Sequence, residues 1–208
     1  MDDFALVEAW KGGDRGAGDT LLRRHIPALR RFFANKVGDE QDDLVQRTVL
    51  GLLKTKDGFA GRSSFRTFMF AVARRQLYRH FERRADLHGE WATLTTVEAL
   101  CETPSQVLAR AEQQRWLLAA LRRLPVELQV AIELHYFEGL ATAELADALD
   151  IPQGTAKSRL RRAREALDTH LRRLAHRRMA EETMASLEDW MQRIRAEIDF
   201  ETGAGQKV

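Results

Sequence analysis

The chain has 208 residues, a formal net charge of +2 and 44% hydrophobic residues, a composition typical of globular proteins and a length that suits one large or two small domains. No apolar run approaches the roughly 18 residues that a membrane span needs, and the acidic start MDDFALVEAW lacks the features of a secretory signal. We therefore expect a cytoplasmic protein without membrane insertion.

Helical periodicity dominates the first half of the chain, and the glycines of GGDRGAG separate its first two helices. Pro27 predicts a kink or a boundary in the second helix. The acids of GDEQDD suit the start of a third helix. The apolar face of that helix is assigned to Leu44, Val45, Thr48, Val49, Leu52 and Leu53. After the loop KDGFAGRSS, a further helix places Phe65, Phe68, Met69, Val72 and Ala73 on one face.

Charge is distributed in alternating blocks along the chain. Residues 62–84 carry a net charge of +6 and residues 153–178 a net charge of +7, whereas residues 86–113 carry −4 and residues 181–201 carry −5. Two separate basic blocks indicate two contacts with a polyanion. One such block taken alone is equally consistent with a solvated helix.

The stretch from residue 85 to about residue 112 loses helical regularity and is interpreted as a linker. Helical spacing resumes at QQRWLLAALRRL, stops at Pro125 and ends again at Glu138-Gly139. Residues 142–149 then predict a short helix with Thr142 as its N-cap, and residues 150–154 a turn with Ile151 buried. A second helix begins near Gln153 or Gly154. Its buried residues are predicted to be Ala156, Leu160, Ala163 and Leu167.

This spacing is that of a helix-turn-helix, whose second helix enters the major groove of DNA. The exposed residues of that helix are predicted to be Thr155, Lys157, Ser158, Arg159, Arg161, Arg162 and Arg164. Lys157 or Arg162 can donate to guanine, while Arg159 and Arg164 suit phosphates. The alternative is a structural hairpin with a solvated arginine face.

The C-terminal stretch carries one apolar stripe with helical spacing. Its members are Met184, Leu187, Trp190, Met191, Ile194 and Ile198. The stripe either packs on the preceding domain as extra core, or serves a regulatory role in which the acidic helix covers the basic DNA-binding surface or docks a partner. The autoinhibition hypothesis predicts that deletion of residues 179–208 raises DNA binding by the free protein.

Catalytic and metal-binding signatures are missing from the sequence. Cys101 is the only cysteine and the six histidines are scattered, which excludes an intrachain disulfide and argues against a metal site. No phosphate-binding loop, catalytic triad or paired carboxylates can be recognised. We expect no enzymatic activity and no cofactor.

Two segments resemble one protein family. The segment LRRLPVELQVAIELHYFEGLATAELADALDIPQGTAKSRLRRAREAL resembles the C-terminal DNA-binding region of bacterial RNA polymerase sigma factors, and is most similar to the compact extracytoplasmic-function (ECF) class. The segments DDLVQRTVLGLLK and GFAGRSSFRTFMFAVARRQLYRHFERR resemble the half of that family that binds the polymerase core and opens the promoter. The resemblance runs from about Thr20 to Arg172, in the family's order.

The resemblance implies three contact surfaces. The surface for the polymerase core comprises Asp43, Leu44, Gln46, Arg47 and Leu50, although Leu44 is equally plausible as core. Capture of the minus-ten element is assigned to Phe59, Arg62, Ser63, Phe65, Arg74, Arg75 and Arg79. Unstacked bases enter protein pockets and stack on aromatic rings, but Phe68 is expected to be core. The minus-thirty-five element is assigned to the predicted exposed face of the second helix of the helix-turn-helix.

The chain departs from the family at several positions. Phe68 stands where Trp is usual, Arg75 where Asn is common and Arg79 near an acidic or polar position. Gln129 stands where Arg is common. The preferred minus-ten sequence is therefore not fixed by the resemblance.

The expected fold is all-α, with two small helical domains joined by a flexible linker, the second containing the helix-turn-helix, plus a C-terminal amphipathic helix. The expected divisions are 1–85, 86–112, 113–172 and 173–208. The free protein is expected to sample several domain arrangements or to be held compact by an inhibitor. Implied partners are the polymerase core, through its β′ clamp and β flap, promoter DNA and an anti-sigma factor. The alternative function is a conventional helix-turn-helix regulator that binds duplex DNA.

Overall fold

The computed structural model describes the backbone of residues 1–88 and 112–204, and the side chains of residues 1–84 and 112–196. Within these ranges every regular element is helical. The predicted linker lies outside the described residues, apart from the start and end that continue helices. In the described part, no helix is both long enough and apolar enough to cross a membrane.

The N-terminal domain consists of four α-helices. They are α1 (Asp3–Lys11), α2 (Arg15–Ala34), α3 (Gln41–Thr55) and α4 (Phe65–His88), with a short 3₁₀ turn at Lys56–Gly58. Carboxylates cap the first two helices, since Asp2 accepts from the Ala5 amide at 2.8 Å and Asp14 from the Ala17 amide at 3.1 Å.

Helix α2 continues through Pro27, so the boundary offered as one prediction for this position is not formed. Proline removes one backbone hydrogen bond from a helix interior. Residues on both sides of it are nevertheless held by the core: Leu21 is fully buried before Pro27, and Leu29 and Phe33 are buried after it. Packing of the apolar face therefore keeps the helix in one piece.

The C-terminal domain also consists of four α-helices. They are α5 (Glu112–Arg122), α6 (Val126–Tyr136), α7 (Thr142–Leu149) and α8 (Gln153–Leu174). Gly139 has φ +66° and Asp150 has φ +54°, and these left-handed residues end α6 and α7 as the glycine and turn signals predicted. The predicted N-cap of α7 is wrong by one residue: Ala141 takes the cap position, and the Glu144 carboxylate accepts from its amide at 3.0 Å.

The two domains pack directly on one another. One continuous apolar cluster includes Met69 and Leu77 of α4 together with Leu145 and Leu149 of α7. Helix α4 lies against α7. The C-terminal end of α2 meets α6 and the turn after it through polar side chains. The described helices therefore adopt one closed arrangement in which each domain covers part of the other.

The C-terminal extension forms α9 (Arg177–Ala185) and α10 (Leu187–Ala204). Leu187, Met191 and Ile194 are buried in a second apolar cluster with α5 and α8, while Met184 and Trp190 are partly buried. Of the two roles considered for the apolar stripe, packing as extra core is the one that the structure has. The side chain of Ile198 lies outside the described residues.

Candidate nucleic-acid interface

The helix-turn-helix is built by α7, the turn and the start of α8. Leu145 and Leu149 of α7 and Ala156 of α8 are fully buried, while Ile151 is partly buried against the same cluster, as the sequence predicted. Asp150 ends α7 in the left-handed conformation, and its amide donates to the carbonyl oxygen of Asp147 at 3.2 Å. This small core fixes the direction in which α8 presents its polar side chains.

Most of the predicted reading residues of α8 lie on an exposed surface, which we call the recognition face. Its exposed members are Lys157, Ser158, Arg161, Arg162 and Arg164, and Thr155 is half-buried at the start of the helix. Arg161 pairs with Glu165 of the same helix at 2.7 Å, and Arg164 donates to the Tyr136 hydroxyl at 2.6 Å. Among the described contacts, no hydrogen bond or ion pair involves the side chain of Lys157 or Arg162.

Arg159 differs from the rest of the recognition face. Its side chain is only 13% exposed, and its Nη2 lies 3.3 Å from a carboxylate oxygen of Glu127 on α6. The assignment of Arg159 to a phosphate contact is therefore corrected: in this conformation it joins α8 to α6. Sequence spacing placed it correctly on the helix but gave no information about Glu127.

The aromatic residues near α4 are arranged differently from the prediction. Phe59 and Phe65 are buried and contact each other edge to face at 6.2 Å between ring centroids. Phe68, expected to be core, is only partly buried and lies 5.2 Å from Phe59. The base-pocket assignment of Phe59 and Phe65 is corrected, because their rings are unavailable for stacking in this conformation, and Phe68 replaces them as the accessible ring.

The basic residues near α4 fall into two groups. Arg62, Arg75 and Arg79 are exposed, and Ser63 is half-buried in the loop before the helix. Arg74 instead points into the domain interface, where its Nη1 donates to the Leu149 carbonyl oxygen at 2.6 Å. Burial also lowers the pKa of Arg74 from its ordinary value. Arg74 is thus occupied by the helix-turn-helix rather than open to DNA.

Helix α3 presents a mixed polar and apolar face to solvent. Asp43 and Gln46 are exposed, Arg47 is half-buried and Leu50 is 50% exposed. Leu44 is fully buried, so its predicted contact with the polymerase is corrected to core packing. Sequence reasoning also placed Leu53 in the core, whereas it is 43% exposed. Its three-residue spacing from Leu50 was the signal that both share the outer face.

A buried charge cluster joins the domains, and no sequence pattern predicted it. Arg31 of α2 donates through two nitrogens to both carboxylate oxygens of Glu138, at 2.8 and 3.0 Å, and Arg66 of α4 donates to the same carboxylate at 2.6 Å. Lys36 pairs with Glu133 on α6, to which Asn35 also donates at 3.3 Å. We call these five residues and Glu138 the interdomain cluster, comprising Arg31, Asn35, Lys36, Arg66, Glu133 and Glu138.

Glu138 is the most constrained acid of the interdomain cluster. Burial by itself raises the pKa of a carboxyl group, but hydrogen bonds and positive charge from Arg31 and Arg66 outweigh burial and lower the pKa of Glu138. The carboxylate is therefore charged at neutral pH although its side chain is only 2% exposed.

Two family models match this chain. Residues 21–86 match sigma-70 region 2, and residues 114–167 match sigma-70 region 4. Together the matches span more than half of the chain and fall on the two domains in order. The chain belongs to the sigma-70 family. It is therefore an RNA polymerase sigma factor, a transcription initiation factor that binds the polymerase core and directs promoter-specific initiation.

Curated relatives place this sigma factor in the ECF class. It is 28% identical over 183 residues to the RNA polymerase sigma-H factor of Pseudomonas aeruginosa, covering 83% of this chain and 95% of the relative. It is 27% identical over 187 residues to the ECF RNA polymerase sigma-E factor of Escherichia coli K12, covering 85% of this chain and 98% of the relative.

Two solved structures share the fold. One is the sigma factor RpoE with the anti-sigma factor NepR from Bartonella quintana, with TM-score 0.60, 24% identity, and coverage of 74% of this chain and 96% of that one. The other is CnrH with the cytosolic domain of CnrY, with TM-score 0.60, 20% identity, and coverage of 83% and 99%. These likenesses concern the all-α, two-domain architecture.

Proposed function

We propose that the recognition face of α8 reads the minus-thirty-five element of this sigma factor's promoters. The single observation that carries this assignment is an exposed basic face at the start of the second helix of a helix-turn-helix. Lys157 and Arg162 supply base-edge donors, with Ser158 and Thr155 beside them. Arg161 is bonded to exposed Glu165 and Arg164 to the hydroxyl of half-buried Tyr136. Both arginines are themselves exposed and can exchange these contacts for phosphates or bases.

The minus-ten element is assigned to the outer side of the loop before α4 and to α4 itself. Phe68 offers a partly exposed ring on which an unstacked base can stack, and Phe59 supports that ring from the core. Arg62, Arg75 and Arg79 provide exposed positive charge for the backbone of the melted strand, next to Ser63. Arg74 joins this surface only when it is released from Leu149.

The polymerase core is assigned to the outer face of α3. Asp43, Gln46, Arg47, Leu50 and Leu53 lie on this face, and the two leucines are its apolar centre. Exposed apolar side chains surrounded by polar ones are typical of protein interfaces. The β′ clamp is the proposed partner here, and the β flap is the proposed partner of the C-terminal domain.

The remaining assignments follow from the role of a sigma factor. The domain divisions 1–85, 86–112, 113–172 and 173–208 are proposed as functional units, with the acidic linker between the two DNA-binding domains. The chain is proposed to work in the cytoplasm, where RNA polymerase acts, and to leave all catalysis to the polymerase.

An anti-sigma factor is a further proposed partner, because the similar solved structure of RpoE contains the anti-sigma factor NepR. A conventional helix-turn-helix regulator is not favoured, since the region 2 match has no role there.

Gel-shift selection of genomic fragments by the chain together with sigma-free core polymerase tests these assignments. We expect a subset of fragments to be retained, and their retention to fall when Arg161 and Arg162 are both changed to Ala. The matched control changes Arg177 and Arg178 to Ala: these arginines are also exposed, each with one acid four residues away, but they lie on α9. Equal losses in both double variants would contradict specific reading by α8.

A further inference from the structure

The helix of the proposed minus-ten surface contacts the helix-turn-helix in this structure. Arg74 of the minus-ten surface donates to the Leu149 carbonyl at 2.6 Å, and Leu149 is the last residue of the first helix of the helix-turn-helix. The minus-ten helix α4 packs along α7 over apolar side chains that are fully buried, such as Met69 and Leu145. Helix α4 is thus held within hydrogen-bonding distance of the helix-turn-helix.

A promoter separates the same surfaces widely. The minus-ten and minus-thirty-five elements lie about 25 base pairs apart, and at 3.4 Å per pair this spacing is roughly 85 Å along the DNA axis. Domains that share one apolar core and a direct hydrogen bond cannot bridge such a distance. Binding both elements therefore requires the domains to separate.

We propose that the closed arrangement is an autoinhibited form of the free sigma factor, that the interdomain cluster latches it, and that α10 braces the latch. This inference rests on the proposed function, because that function defines the surfaces that closure brings together. The acidic extension leaves the recognition face exposed, so inhibition comes from closure of the domains and not from coverage of the basic surface.

The latch is made of two buried ion pairs that join the domains. Glu138 is 2% exposed and Arg31 is 7% exposed, and their two-point geometry satisfies both carboxylate oxygens. Lys36 and Glu133, with side chains 0% and 3% exposed, form the second buried pair. Removing one member of such a pair leaves the other charge buried without its main partner. The closed form therefore loses more stability than it would if an exposed ion pair were broken.

The C-terminal extension contacts the end of α6, the helix that carries Glu133 and leads into Glu138. Gln192 of α10 donates to the Tyr136 carbonyl at 2.5 Å, and Arg195 donates to the Phe137 carbonyl at 2.9 Å. These carbonyls lie at the end of α6, next to Glu138. Helix α10 also contacts α2, and Ala34 at the end of α2 packs against the same apolar cluster as Met191. The extension thereby links both sides of the latch.

The recognition face and the outer face of α3 stay exposed in the closed form. Lys157 and Arg162 on α8, and Leu50 on α3, all remain accessible. The extension therefore does not cover the reading residues, and the polymerase core can engage α3 before the domains open. In the closed form Arg74 is bonded to Leu149, and the domains are too close together to reach both promoter elements. Full promoter contact needs Arg74 to be free and the domains to be apart.

The experiment measures domain separation in the full chain by energy transfer. Cysteines for the two dyes replace exposed Asp19 on α2 and exposed Thr169 on α8, and Cys101 is changed to Ser. We expect Glu138→Gln to lower transfer efficiency, and to raise the affinity of the free protein for a fragment spanning both elements of a promoter that the holoenzyme transcribes by about tenfold, within the usual range of coupling between sites. The matched control is Glu188→Gln, an exposed acid on α10.

Two further measurements keep the outcomes separable. Far-ultraviolet circular dichroism reports whether Glu138→Gln still folds. If it does not, Arg195→Gln is used instead, because it removes only the contact of α10 with the Phe137 carbonyl. Arg195→Gln is also expected to lower transfer efficiency. Unchanged transfer and unchanged affinity in a folded variant would overturn the latch. Transcription by the wild-type chain with core polymerase is measured in parallel, so that failure of the proposed function is recognised independently of failure of the latch.

Discussion

Arg31 and Glu138 are separated by 107 residues in sequence, yet their side chains form a two-point ion pair at 2.8 and 3.0 Å inside the interface between the domains. Both side chains are almost fully buried. Because the pair lies between two domains rather than within one, it links the stability of the fold to the arrangement of the DNA-binding surfaces.

Replacing Arg31 with Met is expected to lower the free energy of unfolding by about 3–5 kcal/mol, the usual cost of leaving one buried charge without its main partner. Urea unfolding followed by circular dichroism measures this change. The control is Arg23→Met on the same helix, whose pair with Asp19 is exposed on both sides, and no measurable change is expected there. Equal effects of the two substitutions would argue against a buried interdomain pair.

The lowered pKa of Glu138 predicts how this contribution depends on pH. A carboxyl whose pKa falls on folding adds stability above its unfolded pKa, and that stability is lost as pH falls through the lowered folded value. Arg31 and Arg66 are the charged groups that face Glu138. The difference in unfolding free energy between wild type and Glu138→Gln should stay constant near neutral pH and shrink only in acid. A difference that already shrinks between pH 8 and pH 6 would contradict this assignment.

The exchange of roles between Phe65 and Phe68 is testable with two alanine variants. Phe65→Ala removes a buried ring and should cost about 3–5 kcal/mol of stability. Phe68→Ala should cost less stability but weaken promoter opening, because a stacking surface for an unpaired base is lost. Thermal unfolding and permanganate reactivity of promoter thymines distinguish the two effects. If Phe68→Ala opened promoters normally, another ring would have to be sought.

The outer face of α3 is expected to contribute to core binding through Leu50 and Leu53. Changing both to Ser should weaken binding to core polymerase by about tenfold or more while leaving the unfolding temperature nearly unchanged, since both are already exposed. Fluorescence anisotropy of the labelled sigma factor measures the affinity. Asp19→Ser, at an exposed site on α2, is the control, and a loss of affinity in that variant alone would point to a different surface.

Local patterns in the sequence predicted much of the fold. Helical periodicity located α3, α4 and α8, and Gly139 and the turn before α8 marked helix ends that the structure has. These features depend on neighbours within a few residues, which a sequence displays directly. The recognition face of α8 was predicted for the same reason, apart from Arg159.

The features that sequence reasoning missed depend on distant partners. Glu138 was interpreted only as part of a helix end, because Arg31 and Arg66 approach it from the other domain. Phe65 and Phe68 are three residues apart and both suit the apolar face, and only packing against Phe59 and His25 decides which ring is covered. Charged residues such as Lys36 are usually exposed, so composition gave no reason to expect a buried pair.

Run-off transcription distinguishes a sigma factor from a conventional DNA-binding regulator. Sigma-free bacterial core polymerase is supplied with genomic promoter fragments, with and without this chain, and with the Arg161→Ala, Arg162→Ala double variant. The sigma-factor account predicts specific transcripts that require the chain, are lost in the double variant and persist with Arg177 and Arg178 both changed to Ala. Tight duplex binding by the chain alone, with no transcript under any condition, would contradict the account.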